Sequence, residues 1–183
     1  MNTTFRVAPF SVTTWIWTGT FFVVLAFFLW RMVANGASDP FDVGVSVLLS
    51  ILIVLGFVRS VRAYHVTDRT IEVARTLASR IRLDRAEIAS IEVRPNLGSF
   101  FNRSILATGG LFGWSGKARI RKPTDIDSLE AEVFGTNPAN AVLVELKSGR
   151  NVVLTPADPT AFVAAVRGPK PRQEGNRGKG KKN

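Results

Sequence analysis

Two apolar runs, Val12 to Val33 and Val43 to Val58, lie a short polar segment apart near the start of this 183-residue chain. No charge falls between Arg6 and Arg31, so the first run can cross a bilayer as a helix, which takes about 20 apolar residues. Phe21, Phe22, Val23, Val24, Leu25, Phe27, Phe28 and Leu29 leave no polar face for water, as a helix at a soluble protein's surface would need. Trp15, Trp17 and Trp30 stand at the run's two ends, where indole rings favour the headgroup level, and Arg31 is expected to snorkel outward. The run is longer than a signal-peptide core and no Ala-x-Ala site follows it, so a retained span is expected. Asn35, Gly36, Ser38, Asp39 and Pro40 then turn the chain. The second run makes only about 24 Å of helix. Extension through Val61, with Arg59 snorkelling, would lengthen it. The expected spans are therefore 12–33 and 43–61 around a loop at 34–42, with 1–11 as a polar lead.

Charge orients this hairpin. Residues 1–58 carry two basic and two acidic residues, residues 59–166 fifteen against eleven, and residues 167–183 seven against one. The formal excess of +10 thus lies wholly beyond the second run. Arg6, Arg59, Arg62, Arg69 and Arg75 flank the outer ends of the runs, while Arg31 stands alone beside Asp39 and Asp42 at the loop. Basic residues stay cytoplasmic, so the loop is expected to face outward, with both termini in the cytoplasm. With no cysteine, neither a disulfide framework nor a thiolate metal site or nucleophile is available.

From Tyr64 the apolar period becomes two: Ile71 and Val73 flank Glu72, Ile81 and Leu83 flank Arg82, and Ile91 and Val93 flank Glu92. Thr67 to Thr70 can turn a first hairpin, and Lys147 to Arg150 a second between Ala141 to Leu146 and Asn151 to Thr155. Asp158 is placed to cap a helix with Pro159 at its first position and Phe162, Val163 and Val166 as its apolar stripe, ended by Gly168-Pro169. Short antiparallel strands followed by one helix predict a small sandwich or barrel plugged by that helix, over residues 62–167. The expected class is an α+β membrane protein.

Residues Tyr64 to Val166 also resemble the bacterial pleckstrin-homology-like domains of small two-span membrane proteins. The resemblance rests on Gly109 to Gly116, on Phe134-Gly135-Thr136-Asn137, on Ala141 to Leu146, and on Thr155 to Phe162. It implies an antiparallel β-sandwich or barrel capped by a C-terminal helix, and a fold that hosts lipid, peptide and protein binding alike. The family often has a tyrosine ahead of its Thr-Asn pair. Here Phe134 stands there with Gly135 between, so a phenol hydrogen bond is not expected from that position.

Gly109 to Gly116 matches neither a P-loop, since Leu111 stands where glycine is required and Ala118 follows Lys117, nor a dinucleotide fingerprint. It can present Leu111, Phe112 and Trp114 to the bilayer interface or a partner, or fold them back as core, which is the usual fate of large apolar residues. Arg80, Arg82, Lys117, Arg119, Arg121 and Lys122 could meet anionic headgroups as one face if their strands are neighbours, each contributing about 1 kcal/mol near the surface. The tail 168–183 is polar, rich in glycine and basic, and expected to be disordered; Lys179, Lys181 and Lys182 are its candidate lipid contacts. It carries no aromatic residue for base stacking, so nucleic acid is the less favoured partner. His65 is the only histidine and has no catalytic or metal-binding companions. Asp125, Asp127, Glu130 and Glu132 lack calcium-loop spacing and are expected in a solvated connecting segment.

No catalytic residue, cofactor or metal is therefore expected. The reading is a non-enzymatic, membrane-anchored module that binds a protein partner or assembles with itself. Its rivals are an anionic-lipid sensor and an accessory subunit of a membrane complex.

Overall fold

The computed structural model describes residues 2–34, 39–95, 111–121 and 128–168. The two apolar runs form helices α1 (Val12–Ala34) and α2 (Pro40–Arg59), packed as a hairpin. Both are long and apolar enough to cross a membrane. The second differs from expectation at both ends. It begins at Pro40 because Asp39 caps it, its carboxylate accepting from the Phe41 N–H at 2.9 Å, and proline suits the first turn. It stops at Arg59, and Val61 opens a strand rather than extending the span. Its 20 residues still give about 30 Å of helix. The buried residues of the two helices are small or polar, Thr14 and Thr18 on α1 and Asp42, Ser46 and Gly56 on α2. Val23, Phe27 and Val33 on α1 and Val47, Ile51 and Val54 on α2 point outward and are exposed.

Among the described residues, nine strands and a short α-helix make up most of the rest. β1 (Thr3–Arg6), β2 (Val61–Val66), β3 (Thr70–Arg75) and β4 (Ile81–Asp84) form one antiparallel sheet in that order. The second sheet runs β5 (Ile88–Val93), β8 (Val142–Leu146), β9 (Asn151–Leu154), β7 (Ser128–Gly135), β6 (Trp114–Arg121). The expected antiparallel sandwich needs one correction, because β7 and β9 pair in parallel. A second correction concerns residues 1–11. They are no mere lead: Thr3 to Arg6 pair with Val66 to Ala63, so the domain is assembled from chain on both sides of the hairpin. A third concerns Glu130 and Glu132, which lie within β7 rather than in a loop.

Helix α3 (Pro159–Arg167) follows its expected pattern, with Asp158 accepting from the Ala161 N–H and Phe162, Val163 and Val166 buried. It closes the main core, where these residues meet Tyr64, Ile71 and Val73 of the first sheet and Val142, Val144, Val152 and Leu154 of the second. Arg167 also donates to the Ile91 carbonyl, tying α3 to β5. A smaller cluster on the other face of the second sheet gathers Ala118, Ala131, Val133, Leu143 and Val153, with Trp114 against it.

Candidate interaction site at the junction of hairpin and domain

The hairpin meets the domain through three sets of contacts. The first is a chain of buried hydrogen bonds that starts at Tyr64. Its hydroxyl donates to the Phe134 carbonyl at 2.7 Å and accepts from the Thr155 N–H at 3.1 Å. Burial pushes this phenol up to about 12, against the pull of its hydrogen bonds with Thr155. Thr155 Oγ1 accepts from the Thr136 N–H at 2.8 Å, and the Thr136 hydroxyl donates to the Ala8 carbonyl. The Thr136 carbonyl in turn accepts from the Ser11 N–H and from the Thr14 hydroxyl of α1. The phenol absent ahead of Thr136 is thus supplied from β2. Sequence pattern alone cannot show this, since Tyr64 and Phe134 lie 70 residues apart.

Gly135 makes the approach possible, because a Cβ there would lie 2.2 Å from Thr155 Oγ1 and 2.5 Å from its Cγ2. Gly113, at φ +111°, passes as closely over the Gly135 carbonyl, which a Cβ would meet at 2.7 Å. The sequence carries both glycines inside the segments that resemble the family. What it conceals is that they stack on each other.

The second set is the segment before β6. Leu111 and Phe112 fold back onto the hairpin. The Phe112 ring meets Phe22 of α1 and Phe57 of α2 edge-on, with centroids 6.3 and 5.6 Å away. Its N–H donates to Thr18 Oγ1, and Leu111 lies over Gly56. Phe112 adopts φ 56°, a left-handed conformation costly for a bulky residue, held by packing on both helices. Trp114 goes to the domain's smaller core instead. The three aromatic and apolar side chains of this loop therefore have different destinations.

The third set is the turn between β3 and β4. The N–H groups of Leu77 and Ala78 both donate to the Val58 carbonyl, and that of Thr76 to the Ser60 carbonyl, so the turn caps the end of α2. Ser60 and Thr76 join their hydroxyls at 2.6 Å. Arg75 shapes the turn by donating from Nε to the Ser79 carbonyl at 2.8 Å. Partial burial and the nearby Arg59 guanidinium hold the Arg75 pKa below the usual arginine range.

The strands that carry the expected lipid-facing cations are not neighbours in a sheet. Arg80 and Arg82 share a single carboxylate, Glu72, at 3.3 and 2.9 Å. They sit by β4, at one end of the first sheet, while Lys117, Arg119 and Arg121 belong to β6, the far end strand of the second. The backbone register pairs Lys117 with Glu132 and Arg119 with Glu130. Lys122, Lys179, Lys181 and Lys182 lie outside the described residues. Trp15, Trp17 and Trp30 are exposed on α1, as is Arg59 at the end of α2. Arg31 does not reach outward as expected. Its Nε lies 3.1 Å from Asp42, whose side chain is 1% exposed, and its Nη2 is 3.9 Å from Asp39, so it fastens the far end of the hairpin. His65 shares a hydrogen bond with Thr4 across β1 and β2, and no metal-binding group occurs among the described residues.

Two sheets around a single core, closed by a C-terminal helix and carried on an apolar hairpin, define a small interaction domain of the pleckstrin-homology type. The family described as Bacterial PH domain matches residues 62–169, and the chain belongs to it. No curated protein and no solved structure matched. The domain is accordingly a lipid- or protein-binding module in general kind. The family match leaves out β1, which the structure shows completing the first sheet.

Proposed function

We propose that the chain is a non-enzymatic, two-span protein of a bacterial inner membrane, whose PH-like domain works at the cytoplasmic face as an assembly module. The pairing of β1 with β2 carries this reading. The strand before α1 and the strand after α2 lie side by side, so both helices start and finish on the domain's side, as a hairpin through a bilayer does. The outward apolar residues of α1 and α2 support it, for a continuous apolar face of that size needs covering. The excess of basic residues on the domain side favours the cytoplasm.

The binding surface we assign is the end strand β6, which at eight residues matches β7 as the longest strand and terminates the second sheet. A strand from another protein, or from a second copy, would add there by main-chain pairing. Leu111 and Phe112 favour an edge over a loop, since both are engaged with the chain's own hairpin. Extraction of the full-length protein in mild detergent, with native mass and crosslinks from β6 as readouts, tests this. A defined multiple of 20 kDa or one stable companion, crosslinked through β6, is the expected result. A monomer without companions would refute it.

A further inference from the structure

Among the described residues outside the two helices, the large apolar side chains exposed to solvent are Phe10, Val93 and Leu77, at 37, 37 and 74%. Leu77 is the outlier, and its place explains it. Its own N–H and that of Ala78 hold the Val58 carbonyl, so the tip of the β3–β4 turn stands level with the last turn of α2. If α2 spans a bilayer, that level is where acyl chains give way to headgroups. Arg59 is exposed in the same helical turn, and Arg75, on the strand leading into the turn, pairs in register with Val61, two residues beyond Arg59, while the Thr76 N–H holds the Ser60 carbonyl between them. Among the described residues neither has a carboxylate partner, in contrast to Arg80 and Arg82, which share Glu72. Arg75 uses Nε and Nη2 to hold Ser79, which fixes the guanidinium, and Nη1 makes no hydrogen bond among the described residues.

We propose that Arg59, Arg75 and Leu77 seat one anionic phospholipid of the bilayer's domain-side leaflet, with the phosphate between the two guanidiniums and Leu77 among the upper acyl carbons. The inference rests on the spanning reading of α2. Two uncompensated cations beside a capped helix end form a fixed anion site, since guanidinium N–H groups match phosphate oxygens in geometry. The exposed leucine selects a lipid over a soluble anion, because only a lipid brings apolar chains to cover it. The seat lies at the hairpin end of the sheet, one strand length from the β2–β3 turn at Thr67 to Thr70. It would hold the sheet edges at a fixed tilt to the membrane.

The chain has no cysteine, so Leu77→Cys and, separately, Val54→Cys each create a unique site for an environment-sensitive fluorophore in the full-length protein. In vesicles of phosphatidylcholine with phosphatidylglycerol, both labels should emit from an apolar setting, and shallow lipid-borne quenchers should reach position 77 best. Phosphatidylglycerol titrated into the detergent-solubilised protein, with bound lipid counted by native mass spectrometry, should bind about 5-fold more weakly to Arg59→Gln and about 30-fold more weakly to the Arg59→Gln/Arg75→Gln pair. Arg69→Gln, in the distant β2–β3 turn, should bind as the parent does. Among the described residues Arg59 makes no side-chain hydrogen bond, so the single variant stays informative if the pair unfolds. An apolar label at 54 with an aqueous one at 77 overturns the lipid seat and leaves the span standing. So does equal binding by parent and Arg59→Gln, or equal loss in Arg69→Gln. An aqueous label at 54 overturns the span itself and the seat with it.

Discussion

Replacing Tyr64 by phenylalanine removes one oxygen and leaves the ring in place, against Phe162 at 5.8 Å. That oxygen serves two buried backbone groups, accepting from the Thr155 N–H and donating to the Phe134 carbonyl. Loss of a net hydrogen bond costs about 1 kcal/mol, and leaving the buried N–H unmatched about 1–3 kcal/mol more, for a total of about 2–4 kcal/mol. Hydrogen exchange of the full-length protein in micelles reads this directly. Amides of β7 and β9 that open with the domain should exchange about 30-fold to 1,000-fold faster in Tyr64→Phe. The pH dependence has a definite sign. The phenol's folded value lies above its ordinary one, so its contribution is complete below about pH 10 and disappears as pH rises through about 12. The gap between parent and Tyr64→Phe should therefore close across that window. Tyr64 is the only tyrosine, so tyrosinate absorbance follows this one group. Exchange rates unchanged by the substitution, or a phenol titrating near 10, would refute the buried relay.

Gly135→Ala puts a Cβ within 2.2 Å of Thr155 Oγ1 and must displace the acceptor of the Thr136 N–H, so a loss of about 1–3 kcal/mol is expected in urea midpoints of the domain. Phe112→Ala removes the ring between Phe22 and Phe57 and keeps the left-handed backbone; proteolysis at Leu111 to Gly113 should quicken, whereas Phe112→Trp should stay protected. Arg31→Gln strands the buried Asp42 carboxylate and should cost the hairpin about 3–5 kcal/mol in micelles, much of it recovered in Arg31→Gln/Asp42→Asn. If the double variant is no better than the single one, Asp42 is not held by that pair.

Local order was legible where one period ran long enough. The first span, the hairpin around Thr67 to Thr70, the pair β8 and β9, and α3 with its Asp158 cap all follow from spacing and turn chemistry. β1 escaped because four residues, Thr3 to Arg6, give only two alternations before the span's far stronger signal begins. β7 escaped because Glu130 and Glu132 read as a solvated acidic cluster, when their positions alternate with Ala131 and Val133 of a buried face. Arg31 was misplaced for a related reason. Snorkelling is the default for a lone cation at a helix end, and only the folded hairpin brings Asp42 within 3.1 Å. Much of the junction lies beyond reach of any window, since contacts such as Tyr64 to Phe134 and Ala8 to Thr136 join residues 70 and 128 positions apart.

Those long contacts limit how the domain can move. Five residues, Val7 to Ser11, connect β1 to α1, and Ser60 alone connects α2 to β2. Even fully extended, the longer link reaches about 17 Å. Most of it is already committed, since Val7 bridges to Pro156, Ala8 bonds Thr155, and Ser11 bonds Thr136. The domain cannot swing away from the helix ends without breaking its own first sheet or the Thr136 relay. On the reading proposed here, a module so closely tied keeps one end against the membrane and offers partners its flanks and its far end. Recognition would then fall to the sheet edges, of which β6 is one as the last strand of its sheet. On the reading proposed here, approach along the membrane plane costs a partner fewer dimensions of search than approach from bulk, and a second copy of the chain arrives by that route already oriented.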